Sequence, residues 1–255
     1  MVNTGKLVAV IFDLDDTLVH LQPPADEQEY AASYKRVLRA VVSRFPNAAG
    51  NLSNALLRNV SGRVGQQVAQ SYAPDVHDRL HERDALTMFR TAFAEFAPDF
   101  QPGDALLCFL IAAEQQVIYQ PQLAADAVQT LRALRERGIR TGLCSNYFGL
   151  PEAARANIQR IGLLEHLDQT VFSCEVGWRK PDSAIYQAIC NKLAVRPGEC
   201  LFVGDRLVED VRGPQQLGMR AALVQHFRQE QVDDSITRPN FILSQLNQVI
   251  EAVTY

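Results

Sequence analysis

The chain has 255 residues, enough for one large domain or two smaller ones. Hydrophobic residues make up 47% and charged residues 21%, a balance that is typical of globular proteins and argues against wholesale disorder. Acidic residues outnumber basic ones by 29 to 25, giving a net charge of -4, so the chain lacks the basic excess that a nucleic-acid partner normally requires.

The apolar segments are too short for a membrane span, which needs ~20 residues. The longest covers only 106–113. An apolar run at 7–12 leads directly into acidic residues with no small-residue cleavage site, so we predict no secretory signal. The five cysteines are scattered and form no C-x-x-C pair, which predicts reduced thiols in a cytoplasmic protein.

The first half of the chain predicts one strand followed by helices. The run 7–12 is continuously apolar, as in strands buried on both faces. The segment that follows has no β-branched run and shows four helical patterns, at 26–45, 52–70, 76–96 and 103–119. We therefore predict an all-helical domain at 23–120, inserted into a second domain formed by 1–22 and 121–255.

The second half alternates between strand and helix patterns. Strands are predicted at 139–144, 170–174, 200–203 and 221–224, and helices at 123–137, 151–161, 183–193 and 208–217. Pro214 is expected to shorten or kink the last helix. The alternation predicts an α/β fold, a Rossmann-like, doubly wound parallel sheet.

Polar residues follow several predicted strands, at the edge where ligands bind in open α/β sheets. They are Asp13, Asp15, Ser145, Asn146, Asp205 and Asp210, with Lys180 in a loop after the weakest strand. Carboxylates that converge either share protons or hold a cation. Oxygen ligands without His or Cys favour Mg²⁺, and a metal beside one lysine suits a phosphoryl group.

These motifs together resemble those of the haloacid dehalogenase-like hydrolase superfamily, in the branch whose helical cap is inserted after the first strand. The matching segments are 10–18, 144–146, 179–182 and 202–210, followed by Gly213, Gly218 and Met219, in the family's order and spacing. The resemblance covers 5–22 and 121–226 by motif. The cap matches only in position and helical character.

The resemblance implies a role for each residue that would meet the substrate. Asp13 is similar to the nucleophile that forms an aspartyl-phosphate, and Asp15 to the acid that protonates the leaving alkoxide and then activates water. Ser145 and the backbone around Asn146 would bind phosphoryl oxygens. Lys180 would keep the nucleophile ionised and offset phosphate charge.

The resemblance also implies a Mg²⁺ site. Its ligands would be the Asp13 carboxylate, the Asp15 backbone carbonyl and Asp205, with Asp210 binding directly or through water. The chain departs from many relatives at Asp16, where they have Gly, although Asp tolerates left-handed backbone conformations better than most residues.

The function expected from this resemblance is Mg²⁺-dependent hydrolysis of a phosphomonoester of a small metabolite. Asp15 argues against dehalogenation, because a halide leaves without a proton. Two alternatives stay open: a phosphomutase using the same aspartates, and a catalytically silent binding protein of the same fold. The expected partner is a small-molecule phosphate ester, with no nucleic acid or membrane, and the protein is a monomer or homodimer.

Overall fold

The computed structural model describes residues 6–118 and 120–254. The predicted end of the fourth helix, Tyr119, lies outside the described residues. The strands are β1 (Ala9–Phe12), β2 (Val19–Gln22), β3 (Gln120–Leu123), β4 (Arg140–Ser145), β5 (Gln169–Phe172), β6 (Cys200–Gly204), β7 (Arg220–Val224) and β8 (Phe241–Leu243). The α-helices are α1 (Glu27–Arg44), α2 (Asn54–Ser71), α3 (Ala85–Phe96), α4 (Asp104–Ile118), α5 (Ala127–Glu136), α6 (Pro151–Arg160), α7 (Ser173–Val176), α8 (Ser183–Leu193), α9 (Gly213–Gln216) and α10 (Val249–Ala252).

The chain divides into two compact units. The sheet unit comprises Met1–Leu21, Pro121–Tyr147 and Ile158–Tyr255, and the helical unit comprises Gln22–Gln120 and Phe148–Asn157. The last of these segments was expected in the α/β domain. It belongs to the helical unit because Phe148 and Leu150 pack against the apolar cluster of that unit. The side chain of Gln115 also donates a hydrogen bond to the Phe148 carbonyl at 2.9 Å.

The sheet unit is built on six parallel strands in the order β5-β4-β1-β6-β7-β8. Its inner strands are buried on both faces, which explains their continuous apolar sequences. The prediction of a Rossmann-like parallel sheet is confirmed. The sequence did not indicate β8 or the two-stranded ribbon formed by β2 and β3.

One face of the sheet packs against α8. Ala9 and Ile11 of β1 belong to one buried cluster with Ile185 and Ile189 of the helix. Each such isoleucine contributes about 1.5–3 kcal/mol by leaving water, so this layer fixes the position of β1. In the register of the sheet, Phe12 of β1 lies opposite Leu143 of β4 on one side and Val203 of β6 on the other.

The helical unit contains α1 to α4, and its third helix is shorter than predicted. The prediction of 76–96 was wrong at its start, because α3 begins at Ala85. The Asp84 side chain caps this helix by accepting a hydrogen bond from the Thr87 amide at 2.7 Å. Before it, the Arg83 guanidinium binds both carboxylate oxygens of Asp78, which holds the preceding residues in a loop.

The predicted helix at 208–217 is divided in two. Residues Leu207–Arg212 form a π-helix, in which the Gly213 amide donates to the carbonyl five residues earlier, Val208. A short α9 follows. Pro214 has no amide hydrogen to continue the α-helical ladder, which explains why the regular helix cannot run through this point.

Two further findings concern the helices and the cysteines. Among the described helices, none is both long and apolar enough to cross a membrane. All five cysteines are free thiols, in agreement with the prediction of reduced cysteines. Cys190 and Cys200 have their sulfur atoms 4.0 Å apart in the core of the sheet unit.

Candidate active site

The carboxyl ends of β1, β4 and β6 meet at one edge of the sheet. The Asp13 amide donates a hydrogen bond to the Val203 carbonyl at 2.9 Å. The hydrogen bonding between β1 and β6 therefore continues to Asp13, the first acidic residue after β1. Ser145 is the last residue of β4, and Asp205 directly follows β6. The sheet register therefore brings three of the predicted site residues to the same edge, within the sheet unit.

A buried lysine joins two of the predicted carboxylates. The Nζ atom of Lys180 lies 2.7 Å from Asp13 Oδ1 and 2.7 Å from Asp210 Oδ1. All three side chains are buried. Burial disfavours the ammonium, but the two carboxylates outweigh it and hold the Lys180 pKa above its usual range. The lysine is thus a fixed positive charge beside the predicted nucleophile.

Asn146 holds the lysine in place. Its Oδ1 accepts a hydrogen bond from the Lys180 amide at 2.7 Å, and its Nδ2 donates to the Lys180 carbonyl at 3.3 Å. This leaves the backbone of Asn146, and not its side chain, for the predicted phosphoryl contact. The adjacent Ser145 hydroxyl is buried and makes one long contact, 3.4 Å to the Asn146 carbonyl.

Asp210 reaches the site because Gly204 has no side chain. A Cβ atom at Gly204 would lie 2.3 Å from Asp210 Cγ, well inside van der Waals contact. The second carboxylate oxygen of Asp210 accepts a hydrogen bond from the Arg206 amide at 3.0 Å. Burial raises the Asp210 pKa to about 6, with Lys180 acting in the opposite direction.

Three carboxylates form a group that could hold a cation. Asp13, Asp205 and Asp210 each offer an oxygen, and these oxygens all lie within 4.8 Å of one another. Asp205 is 1% exposed, and neither of its oxygens has a hydrogen-bond partner among the residues that the structure describes. Burial, followed by the charges of Asp210 and Asp13, raises the Asp205 pKa to about 8. A buried carboxylate without a partner is costly, so this oxygen-only set fits a hard divalent ion such as Mg²⁺.

Asp15, the predicted acid, lies half-buried in the loop after β1. Burial, followed by the charge of Asp13, raises the Asp15 pKa to about 7. This carboxyl group therefore carries a proton in a large fraction of the molecules at neutral pH. The next residue, Asp16, has a φ of 56°, the left-handed conformation that the family's glycine would adopt freely. The Asp16 amide donates to the Val19 carbonyl at 2.7 Å and closes the loop.

A segment after β7, which was not predicted from the sequence to belong to the site, contacts this loop. His226 Nε2 lies 2.8 Å from the Thr17 carbonyl, to which it must donate. The Phe227 ring stacks on His20 with centroids 5.3 Å apart, and His20 Nδ1 lies 2.7 Å from Asp16 Oδ1. The sequence indicated this segment through its position, because it follows the predicted strand at 221–224, which ends at the same edge of the sheet as the other strands.

The fold and this cluster define an α/β enzyme with a buried carboxylate–lysine site at the carboxyl edge of a parallel sheet. The profile of the haloacid dehalogenase-like hydrolases matches residues 7–218. The protein belongs to this family and is a hydrolase.

Individual relatives extend this comparison. The chain is 26% identical to a glyceraldehyde 3-phosphate phosphatase of Methanopyrus kandleri over 96% of both proteins. It is 32% identical to a phosphoglycolate phosphatase of Rhodospirillum rubrum, over 77% of this chain and 71% of the relative. A 2-haloacid dehalogenase of Pseudomonas syringae pv. tomato shares the fold with a TM-score of 0.63, at 20% identity over 97% of this chain and 98% of that one. The fold is thus common to phosphatases and dehalogenases, and the side chains must distinguish them.

Proposed function

We propose that the protein is a Mg²⁺-dependent phosphomonoester hydrolase that acts on a small phosphorylated metabolite through an aspartyl-phosphate intermediate. The observation that carries this proposal is the Lys180 bridge between Asp13 and Asp210, beside Asp205, whose two oxygens accept no hydrogen bond from the described residues. Relatives named as phosphatases of small metabolites support the same substrate class.

The reaction begins at Asp13. Lys180 binds Asp13 Oδ1, which leaves the other oxygen to attack phosphorus as the bond to the alkoxide breaks. Asp15 gives its proton to the departing alkoxide, and its pKa of about 7 suits that task. Asp15 then accepts a proton from water as the water oxygen attacks phosphorus, which releases inorganic phosphate and restores Asp13.

The remaining predicted residues bind the phosphoryl group and the metal. Mg²⁺ would be held by Asp13, Asp205, Asp210 and the Asp15 carbonyl, and when bound it supplies charge neutralisation for the phosphoryl oxygens. Ser145, the Asn146 backbone and Lys180 orient those oxygens. The oxygen-only donor set and the unsatisfied Asp205 support this assignment.

The competing functions are distinguished by Asp15 and by the reaction product. A haloacid dehalogenase needs no acid at the position of Asp15, because halide leaves as a stable anion. A phosphomutase would use the same aspartates but would return an isomerised phosphate ester, so the product decides. A silent binding protein would have no use for an intact nucleophile paired to a buried lysine.

We also propose that the helical unit, predicted at 23–120, is the cap that selects the substrate. The support is its insertion between the first two strands of the sheet and its own apolar core. The cytoplasmic location and the monomeric or dimeric state stay predictions from the sequence.

The test is a phosphate-release screen over small phosphorylated acids, aldehydes and sugars, with Mg²⁺ and with a chelator. We expect Mg²⁺-dependent release from at least one compound, and a loss on the order of a thousandfold in Asp13→Asn. The matched control is Asp234→Asn, at an exposed position of the same unit. Activity that survives Asp13→Asn, or an isomerised ester as the product, would contradict the proposal.

A further inference from the structure

Arg228 pairs with the carboxylate that the rest of the site leaves unsatisfied. Among the ion pairs of the described residues, the one to Asp205 comes from Arg228, whose Nε lies 3.7 Å from Asp205 Oδ2. This distance permits attraction between the charges but not a hydrogen bond. A guanidinium therefore stands beside a candidate metal ligand without occupying its lone pairs.

The same guanidinium has a second carboxylate neighbour outside the site. Arg228 Nε lies 3.8 Å from Glu230 Oε2, a buried atom to which no group in the described part of the chain donates a hydrogen bond. Arg228 is thus nearly equidistant from two carboxylates. One of them, Asp205, belongs to the candidate metal site, and the other, Glu230, does not.

The backbone of this segment is anchored on both sides of Arg228. The Gln225 amide donates to the Leu243 carbonyl at 2.8 Å, and the Gln225 side chain donates to the Glu230 carbonyl at 2.7 Å. His226 is bound to the Thr17 carbonyl, as described above. These contacts hold Arg228 near Asp205 and do not leave it on a free loop.

We propose that the Arg228–Glu230 ion pair sets the affinity of the acidic site for its divalent cation. The proposal rests on the metal site of the proposed function. Arg228 offsets the charge of Asp205 when no ion is bound and repels the ion when it binds, whereas Glu230 opposes that repulsion. Both residues act by charge at a distance, Arg228 beside Asp205 and Glu230 beside Arg228, and neither touches a reacting atom.

The two members of the pair should change metal binding in opposite directions. Titration of the metal-free full chain with MgCl₂ by calorimetry should show that Arg228→Gln lowers the dissociation constant about fivefold, the size of a screened charge interaction across several ångströms. Glu230→Gln should raise it by about the same factor. The double variant should return to within about twofold of the wild type, and added NaCl should shrink each difference.

Two controls separate charge from packing. Arg228→Lys keeps the charge and should keep wild-type affinity, whereas Arg238→Gln removes an exposed arginine of the same unit and should change nothing. Single variants that shift affinity in the same direction, or not at all, would overturn the inference, as would an Arg228→Lys variant that behaves like Arg228→Gln. A wild-type chain that binds no divalent ion would refute the proposed function as well. Mg²⁺-dependent phosphatase activity with unchanged variants would refute only this inference.

Discussion

Asp210 in the sheet unit and Glu114 in the helical unit are both buried carboxyl groups, yet their surroundings give them different charge states. Asp210 has Lys180 at 2.7 Å, and its pKa reaches only about 6 despite its burial. Glu114 has no cationic partner among the described residues, and burial raises its pKa to about 8, with only a hydrogen bond from Ser61 acting the other way. The neighbouring Lys180, and not the degree of burial, therefore accounts for the difference between these two carboxyl groups.

The contacts of Glu114 agree with a neutral carboxyl group. Ser61 lies within hydrogen-bond distance of both Glu114 Oε1 and the Leu57 carbonyl, but a hydroxyl has one proton to donate. Ser61 therefore offers Glu114 a contested hydrogen bond and no charge, which is too little to keep this buried carboxyl group ionised.

The largest effect is expected from removing the cation that distinguishes the two sites. Lys180→Met leaves Asp13 and Asp210 buried without their partner, so the free energy of unfolding should fall by about 3–5 kcal/mol in urea denaturation. Lys180→Met/Asp210→Asn should recover part of this loss, because one of the two unpaired charges is gone. A Lys180→Met protein as stable as the wild type would mean that the sheet-unit carboxylates need no partner.

The second effect is a pH dependence that belongs to the helical unit. The Glu114 pKa is about 8 in the folded chain and near 4.5 when exposed, so the folded state holds the extra proton between these values. Stability from this group is complete below about pH 4.5 and declines as the pH rises towards 8, by roughly 3 kcal/mol between pH 5 and 8. Glu114→Gln should make the slope shallower by that amount in unfolding curves measured from pH 5 to 9, and should leave the part that comes from Asp15 and Asp205, whose pKa values are also raised. A slope that is unchanged in Glu114→Gln would show that Glu114 does not contribute to it.

The smallest effects are expected when one glycine in each unit is replaced by alanine. Gly204→Ala forces a Cβ atom against Asp210 and should cost about 1–3 kcal/mol while displacing that carboxylate. Gly65→Ala, at an exposed position inside α2 with no atom within 4 Å of the added Cβ, should gain about 0.5–1 kcal/mol. Thermal unfolding of the two variants measures the contrast. Shifts of the same sign would show that the close approach at Gly204 imposes no constraint.

The sequence predicted most of the sheet because its inner strands are continuously apolar and their polar ends mark one edge. It did not indicate β8, which has only three residues and exposes Ile242 at the edge of the sheet. It also missed the loop before α3, since helical periodicity cannot show that Arg83 binds Asp78. These features depend on contacts between particular side chains and not on pattern.

The same distinction applies to the site. Asp13, Asp205 and Lys180 could be predicted because strand ends and charge complementarity place them together. The position of Arg228 could not, because it follows a strand whose end carries no acidic residue, and only the fold brings it within 3.7 Å of Asp205. The occupation of the Asn146 side chain by the Lys180 backbone likewise depends on how the two loops meet.

The π-helix at Leu207–Arg212 has a consequence for how this protein can vary. Asp210 lies in this helix, five residues after Asp205, and the helix places its carboxylate in the same cluster as Asp13 and Asp205. One residue added or removed between the two acids would turn Asp210 by roughly a quarter of a turn around the helix axis and out of the cluster. The number of residues in this stretch is therefore as strictly constrained as their identity, unlike the lengths of surface loops, where insertions and deletions are tolerated.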